Sequence, residues 1–285
     1  HNHADEIAQM GKNALIVTGR NSSKKNGSLD DVINALKSKN IKYTVYDGVE
    51  ENPSVETVME AREIGVKAGC DFIIGIGGGS PMDAAKAIGV MIYYKNENKD
   101  FLYKSVSNSQ SLPVIEVPTT CGTGSEVTTV AVLTVHNEKT KKSMSHRIFP
   151  RMALVDEKYI KNAPLKVICD TAIDALAHIV ESCINNNATE YSKMFAKEGL
   201  EAWSKFKDVL LGNREATDED FHNMMYASTL AGMCIAHAGT SLPHGLSYPI
   251  TYELGIPHGK AVGYFLPGYI NEATDEDKEF VLKAA

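Results

Sequence analysis

Residues 71–83 read DFIIGIGGGSPMD, an apolar run followed directly by three glycines and then by residues that open a helix. The run at 71–76 is short and uninterrupted, which is typical of a strand buried on both faces. Ser80, Pro81 and Asp83 have the order of an N-cap, a first helical proline and an acidic third residue, so we predict a helix to about residue 93. A strand, a turn and a helix in this order form the repeating unit of parallel α/β sheets.

The same alternation continues on both sides of this stretch. Further strands are predicted at 13–18, 42–46, 113–117, 130–135 and 152–155, and helices at 28–39 and from about 54 to 68. From residue 167 the periodicity is helical almost throughout, with helices at 167–186, 189–210 and 218–237. We therefore predict an α/β domain with a parallel sheet over residues 1–160 and an all-α domain over residues 161–285.

Composition narrows the function classes. The 285 residues are 43% hydrophobic and 23% charged, as in ordinary globular proteins. With 29 Lys and Arg against 36 Asp and Glu, the net charge of −7 argues against nucleic-acid or membrane partners. The longest apolar runs, such as 88–94, are far too short to span a bilayer. The five cysteines form no CxxC pair, and we expect reduced thiols in a cytoplasmic protein.

Two segments that follow strands suit a nucleotide. In the glycine turn, residues 77–80, backbone N–H groups at a helix start can approach a phosphate closely. The alternative is a tight turn that needs positive φ, but three glycines exceed what such a turn requires. Residues 118–126 read PTTCGTGSE and offer several hydroxyls for phosphates and riboses. The alternative there is a Ser/Thr-rich loop that caps the next helix.

A carboxylate and three imidazoles form a candidate metal site. Asp174 and His178 are four residues apart in a helical pattern and so share one face. His244 and His258 each begin a His-Gly pair further on. One Asp and three His suit Zn²⁺ or Fe²⁺, with Asp170 as a rival ligand. For any one histidine, the alternative is a hydrogen-bonded structural role.

Together these segments resemble the iron-dependent (group III) alcohol dehydrogenase family, in its NADP-preferring branch. The motifs are residues 77–83, residues 118–126, residues 174–178 and the two His-Gly pairs, in the family's order. The resemblance implies a nucleotide-binding α/β domain and a helical domain, with cofactor and metal meeting in the cleft between them. It implies Fe²⁺, with Zn²⁺ or another divalent metal as an alternative, bound by Asp174, His178, His244 and His258. The implied cofactor-binding residues are Gly77, Gly78, Gly79, Ser80, Asp83, Thr119, Thr120, Thr123, Ser125 and Lys142.

The sequence departs from the family pattern at two places. Many members have a histidine four residues after the third ligand, proposed to relay a proton, where this chain has Tyr248. Tyr248 either donates the proton itself or only packs. Members also begin with additional strand residues and continue through more helices after the last ligand. We therefore expect this sequence to be part of a longer protein, with an incomplete helical domain.

The loop after the first strand indicates which dinucleotide the protein prefers. NAD-preferring members often have an aspartate at the position of Gly19, where a carboxylate binds the ribose hydroxyls and repels a 2′-phosphate. Here Ser22, Ser23 and Lys24 follow instead and can bind that phosphate. We predict a preference for NADP(H) over NAD(H). The alternative is a solvated loop whose lysines face water.

The resemblance implies hydride transfer between NAD(P) and small primary alcohols or diols, yielding aldehydes, and we expect a homo-oligomer. One alternative is a glycerol-dehydrogenase-like or dehydroquinate-synthase-like enzyme of the same fold. The latter would need a basic pocket, and the sequence shows no basic cluster near the ligand motifs. A non-catalytic, truncated nucleotide- or metal-binding protein is the other alternative.

Overall fold

The computed structural model of the protein describes residues 3–284 and divides the chain into two compact units. The first contains the chain up to Thr119 together with Thr129–Val155. The second contains Thr120–Thr128 and the chain from Asp156 onward. Among the described residues, no helix combines the length and apolar character needed to cross a membrane.

The first unit is an α/β structure. Its strands are β1 (Asn13–Gly19), β2 (Lys42–Val49), β3 (Phe72–Gly77), β4 (Val114–Pro118), β5 (Val132–Val135), β6 (Thr140–Ser143) and β7 (Met152–Ala153). Its α-helices are α1 (Ala4–Ala8), α2 (Ser22–Lys25), α3 (Ser28–Ser38), α4 (Val55–Ala68) and α5 (Gly79–Tyr93). The main sheet has the order β2-β1-β3-β4-β7 and all its pairs are parallel, whereas β5 and β6 form an antiparallel pair.

The strand order fixes where a ligand fits on this sheet. The chain moves outward from β1 to β2 on one side and from β3 to β4 on the other. In open parallel sheets, ligands bind at the carboxyl ends of the strands where the order reverses. Here that point lies between the ends of β1 and β3, which are Gly19 and Gly77. β3 is buried along its whole length, which explains why its sequence is an uninterrupted apolar run.

The second unit is helical. It contains α6 (Leu165–Ile184), α7 (Glu190–Ser204), α8 (Lys207–Leu210), α9 (Asp218–Ala238), α10 (Leu242–Leu254), α11 (His258–Gly263), α12 (Leu266–Asn271) and α13 (Asp275–Ala284). Capping boxes begin α7 at Thr189 and α9 at Thr217, so local side-chain chemistry fixes both starts. α6 packs against α7, α9 and α11 around a shared apolar core. The predicted fold class, a parallel α/β sheet followed by a helical region, is confirmed.

Three local predictions are wrong. The segment after β1, predicted as a loop, contains the short helix α2 over Ser22–Lys25. The N-cap of α5 is Gly78, not Ser80, and Pro81 is the third helical residue rather than the first. The first four N–H groups of a helix lack intrahelical partners, so proline fits at either position and does not fix the start. The single helix predicted over 189–210 is two helices, because the chain turns at Phe206, whose side chain is fully buried.

Candidate metal and dinucleotide sites

The candidate metal ligands come from three helices of the second unit. Asp174 and His178 lie one turn apart on α6. His244 lies in the first turn of α10, and His258 is the first residue of α11. The structure thus brings together the four ligands that the sequence predicts. Among the described residues, ligand atoms of Asp174, His178 and His244 all lie within 4.8 Å of one another. His258 and the rival Asp170 are outside this group of three, but His258 Nε2 lies 3.8 Å from Asp174 Oδ1.

Three imidazole nitrogens surround one carboxylate oxygen. Asp174 Oδ1 lies 3.4 Å from His244 Nε2, and 3.8 Å from Nε2 of both His178 and His258. Ligands about 2.1 Å from one ion in tetrahedral geometry are about 3.4 Å apart, so these spacings fit an ion better than hydrogen bonds. Asp174 Oδ1 and His244 Nε2 are buried without a hydrogen-bond partner among the described residues. Since buried polar atoms are costly when unpaired, a divalent metal fits this group of atoms.

The other ring nitrogen of each histidine is held by a partner. His178 Nδ1 lies 3.1 Å from the carbonyl oxygen of Gly122, and His244 Nδ1 lies 2.5 Å from Glu181 Oε1. His258 Nδ1 lies 3.3 Å from Ser247 Oγ, whose own proton goes to the His244 carbonyl oxygen at 2.7 Å. Each Nδ1 is therefore the donor, since carbonyl and carboxylate oxygens only accept. The Nε2 atom of each ring lies on the side that faces Asp174 Oδ1.

The charges suit a cation. Burial alone would raise the pKa of Asp174, but the imidazoles of His178, His258 and His244 outweigh it and hold that pKa far below its usual range. Burial lowers the pKa of His178, with the neighbouring His244 acting in the same direction. Burial also acts to lower the pKa of His244, but the Asp174 and Glu181 carboxylates raise it to about 9. The carboxylates that raise the pKa of His244 would equally stabilise a divalent cation at Nε2 in place of the proton. Asp174 and the three imidazoles would then form the donor set that borderline metals such as Zn²⁺ and Fe²⁺ accept.

Glu181 contacts the candidate metal site, and the sequence analysis did not identify it. It is fully buried on α6, and Oε2 accepts hydrogen bonds from Ser241 N at 2.6 Å and Ser241 Oγ at 3.0 Å. The signal was its spacing, because position 181 lies seven residues after Asp174 and three after His178, on the same helix face. Burial raises the pKa of Glu181, but its bonds to His244 and Ser241 outweigh this and lower it.

Tyr248 lies beside the last ligand. Its half-buried ring is 5.8 Å from the His258 ring, measured between centroids. This position is compatible with both predicted roles of Tyr248, proton donation and packing.

The glycine turn contains one glycine that the backbone requires and two that it does not. Gly77 has φ +150°, and a Cβ there would lie 2.6 Å from Pro81 Cγ. Gly78 has φ −77° and ψ −164°, an extended conformation that any residue adopts. Gly79 begins α5, where glycine is a poorer helix former than alanine. Turn geometry thus explains Gly77 alone, and the bare backbone at 78 and 79 favours close approach of a ligand.

Below the turn lies a buried charged group. Lys86 Nζ donates to the Val130 carbonyl oxygen at 2.8 Å and lies 3.9 Å from Asp83 Oδ1 and 4.0 Å from Glu116 Oε1. Lys86 and Glu116 are both fully buried. Asp83 also accepts a hydrogen bond from Val132 N at 2.8 Å. The Asp83 carboxylate therefore ties the start of α5 to β5, which positions the turn.

The hydroxyl-rich segment belongs to both units. Thr119 N donates to the Gly77 carbonyl oxygen at 2.8 Å in the first unit, while Thr120, Thr123 and Ser125 belong to the second. Thr120 Oγ1 is buried and has no hydrogen-bond partner among the residues described. Ser125 N donates to Thr123 Oγ1 at 3.4 Å. Such a contact is expected if this segment is a Ser/Thr-rich loop that caps the next helix.

The residues predicted to select the dinucleotide lie at or near the end of β1. Ser22 is exposed, but Ser23 is fully buried, with its hydroxyl 2.7 Å from that of Thr18. Lys24 Nζ lies 2.5 Å from Asp47 Oδ2, and this contact lowers the pKa of Asp47. Because both side chains are about half exposed, the pair is weak and Lys24 can exchange partners.

Lys142, one of the implied cofactor-binding residues, has a side chain that already makes two contacts. Lys142 Nζ lies 3.2 Å from the Glu138 carboxylate and 5.0 Å from the centre of the Tyr103 ring. The Lys142 and Glu138 side chains are both nearly half exposed, so this pair too can open.

Comparison with known proteins covers nearly the whole chain. A family model described as iron-containing alcohol dehydrogenase matches residues 1–157, and the C-terminal model of the Fe-containing alcohol dehydrogenase family matches residues 168–283. The long-chain primary alcohol dehydrogenase AdhA of Thermoanaerobacter ethanolicus is 33% identical over 90% of this chain and 65% of its own. The NADPH-dependent butanol dehydrogenase of Clostridium saccharobutylicum is 33% identical over 90% of this chain and 66% of its own.

A solved structure agrees. The crystal structure of an iron-containing alcohol dehydrogenase from Thermotoga maritima is 41% identical, with a TM-score of 0.91 over 99% of this chain and 77% of that one. The chain spans about two thirds of the length of the two curated relatives.

Proposed function

Since the chain belongs to the iron-containing alcohol dehydrogenase family, we propose that it is a metal-dependent, NAD(P)-linked alcohol dehydrogenase. Its proposed reaction is the reversible oxidation of small primary alcohols or diols to aldehydes. The observation that carries the proposal is the buried Asp174 Oδ1 atom, which faces the Nε2 atoms of three histidines without a hydrogen bond among the described residues.

The residues of the second unit have separate tasks in this reaction. Asp174, His178, His244 and His258 would hold Fe²⁺ or another divalent metal, which as a Lewis acid lowers the pKa of an alcohol and polarises a carbonyl. Asp174 supplies the negative charge that balances the cation. The contacts of the three histidine Nδ1 atoms keep the imidazole rings from rotating. The metal ligands are therefore in position before the substrate binds. Tyr248, beside His258, is the proposed proton donor to the substrate oxygen.

The first unit has the dinucleotide as its proposed ligand. Gly77, Gly78, Gly79 and Ser80 would hold the pyrophosphate at the start of α5, where the helix dipole favours an anion. NAD(P) carries the hydride, and the protein contributes its position. We propose NADP(H) as the preferred form, because Gly19 places no carboxylate at the end of β1 and Lys24 lies nearby. The name of the NADPH-dependent butanol dehydrogenase supports this choice.

Compartment and assembly complete the proposal. All five cysteines are free thiols, which supports a reducing cytoplasm. Leu242 and Leu246, one turn apart on α10, are both exposed, which supports burial against further protein in a homo-oligomer. Light scattering after size-exclusion chromatography measures the subunit number.

One assay tests the function. NADPH absorbance is followed with butanal, using protein stripped of metal with a chelator and then supplied with Fe²⁺ or Zn²⁺. We expect oxidation of NADPH only with metal, and neither bound metal nor turnover in His244→Ala or His258→Ala. His222→Ala is the matched control, since that side chain is 68% exposed. Full metal content with normal turnover in His258→Ala would refute the assignment.

A further inference from the structure

Glu181 is a buried carboxylate beside the metal site whose two oxygens are both in use. Oε1 lies 2.5 Å from His244 Nδ1, and Oε2 accepts from the backbone and the hydroxyl of Ser241. We propose that Glu181 is a positioning residue that fixes the His244 ring for metal binding and also holds the start of the helix that carries it. The inference rests on the metal site of the proposed function.

The ring contact determines which nitrogen can bind the metal. An ionised carboxylate only accepts hydrogen bonds, so His244 Nδ1 must carry the proton. Nε2 is then the ligand atom, and it lies 3.4 Å from Asp174 Oδ1. Hydrogen bonds to charged groups are about twice as strong as neutral ones, and a carboxylate behind a metal-bound imidazole makes the imidazole a more basic ligand.

The second oxygen acts on the backbone of the same histidine. Ser241 is the N-cap of α10, yet its side chain caps no N–H group of the helix. Instead its backbone N–H and its hydroxyl both donate to Glu181 Oε2, at 2.6 and 3.0 Å. Since His244 is the third residue of α10, one carboxylate fixes both the ring and the turn from which it projects.

Neighbouring residues of α6 reinforce this contact. Ser182 Oγ donates to the Gly239 carbonyl oxygen at 3.0 Å, and Asn185 Nδ2 donates to the Ala238 carbonyl oxygen at 3.2 Å. The end of α6 therefore holds the connection between α9 and α10 at several points. Of these contacts, only that of Glu181 involves a candidate metal ligand, His244.

The three histidines are not held equally. His178 is held by a backbone carbonyl, which no side-chain substitution removes, and His258 by the Ser247 hydroxyl at 3.3 Å. His244 is held by a charged group at 2.5 Å. We therefore expect metal affinity to depend more on Glu181 than on Ser247.

Glu181→Gln is the sharpest substitution, because it keeps the shape of the side chain. A glutamine offers one accepting oxygen and one NH₂ donor. In either orientation the NH₂ group faces an N–H donor, that of Ser241 or that of His244, so one of the two contacts is lost. Glu198→Gln is the matched control, since Glu198 is exposed on α7.

The experiment measures metal binding directly. The full-length chain is stripped of metal, and Co²⁺ is added while its visible absorption is recorded. We expect one Co²⁺ per chain in the wild type, binding 10- to 100-fold weaker in Glu181→Gln with a shifted absorption band, and partial recovery in Glu181→Asp. Ser247→Ala should bind more tightly than Glu181→Gln, and Glu198→Gln should match the wild type. Equal affinity and an equal spectrum in Glu181→Gln would overturn the inference.

A second measurement needs no substitution, and so decides the matter even if Glu181→Gln does not fold. Nitrogen-15 NMR of the Zn²⁺-loaded wild type should show a proton on Nδ1 of His244 and metal on Nε2. Metal on Nδ1 would overturn the inference. If the wild type binds neither Co²⁺ nor Zn²⁺, the proposed function fails as well. If it binds them and Glu181→Gln binds them equally, only the role of Glu181 fails.

Discussion

Gly78 and Gly79 show how a residue choice can point to a ligand when backbone geometry does not explain it. Neither residue has a positive φ, unlike Gly77. Glycine costs about 1 kcal/mol against alanine inside a helix, so its use at the first residue of α5 is not a choice for local stability. Access of an anion to bare N–H groups at a helix start gives a physical reason for it.

Gly79→Val should block dinucleotide binding. The branched side chain would occupy the space in which a phosphate meets the backbone, while α5 can still form. We expect no measurable NADPH affinity by fluorescence titration and an unchanged far-ultraviolet circular dichroism spectrum. Metal affinity is the internal control, since all four ligands lie in the second unit. A folded Gly79→Val protein with wild-type NADPH affinity would show that the glycine turn is only structural.

Gly19→Asp tests the choice of dinucleotide. The backbone accepts the change, because a Cβ on Gly19 would meet only Val49 O, at an ordinary 3.5 Å. The added carboxylate should repel a 2′-phosphate, weakening NADPH relative to NADH by about 1–3 kcal/mol, or roughly 5- to 150-fold in affinity. Gly19→Asn is the matched neutral variant and should change the ratio little. If the wild type uses NADH as efficiently as NADPH, the predicted preference is wrong.

At the scale of elements, apolar patterning predicted strands and helices well, because it reports directly on burial. The run at 71–76 predicted β3 to within one residue at each end, and the pattern up to residue 93 predicted the end of α5. Asp174 and His178 were predicted because their spacing is local to one helix. Glu181 lies on the same helix face, three residues after His178, but its spacing alone did not reveal its role because its partners, Ser241 and His244, are about 60 residues away.

Other features of the site depend on contacts that a linear pattern does not contain. Lysine is not apolar, so the sequence pattern does not predict that Lys86 is fully buried. Its contacts with Val130 and Glu116 form only in the folded unit. The burial of Ser23 beside Thr18 is likewise tertiary, and it removes one predicted phosphate contact from the surface.

The two His-Gly pairs give an internal comparison between helices. A Cβ on Gly259 would lie 1.8 Å from the Asp170 carbonyl oxygen, so α11 packs on α6 through a bare backbone. A Cβ on Gly245 would meet nothing within 4 Å. Gly259→Ala should therefore push α11 away from α6, cost about 1–3 kcal/mol of unfolding free energy, and weaken metal binding through displaced His258.

Gly245→Ala is the matched control. It adds the same methyl group beside a ligand histidine and should stabilise α10 by up to about 1 kcal/mol without changing metal affinity. Chemical denaturation and Co²⁺ titration of both variants check this pair. Equal behaviour of the two variants would mean that the packing of α11 on α6 does not position His258.

At the scale of the whole molecule, the ligands link helices far apart in sequence but within one unit. α6, α10 and α11 each contribute at least one ligand, so an ion bound there opposes unfolding of the second unit. A ligand that binds only the folded state stabilises it by about 2.7 kcal/mol at 100 times its dissociation constant. For units of this size that corresponds to a rise in unfolding temperature of roughly 5–10 °C.

Trp203, the chain's one tryptophan, allows this effect to be assigned to the correct unit. It lies on α7 in the second unit, and its Nε1 donates to the Ala172 carbonyl oxygen at 2.7 Å, on the helix that carries Asp174 and His178. Thermal unfolding followed by tryptophan fluorescence should therefore shift upward with Zn²⁺ and return with chelator. Asp174→Ala should abolish the shift, whereas Asp170→Ala should keep it, because Asp174 is the carboxylate that faces the three Nε2 atoms. A shift that survives in Asp174→Ala and disappears in Asp170→Ala would place the ion on the other turn of α6.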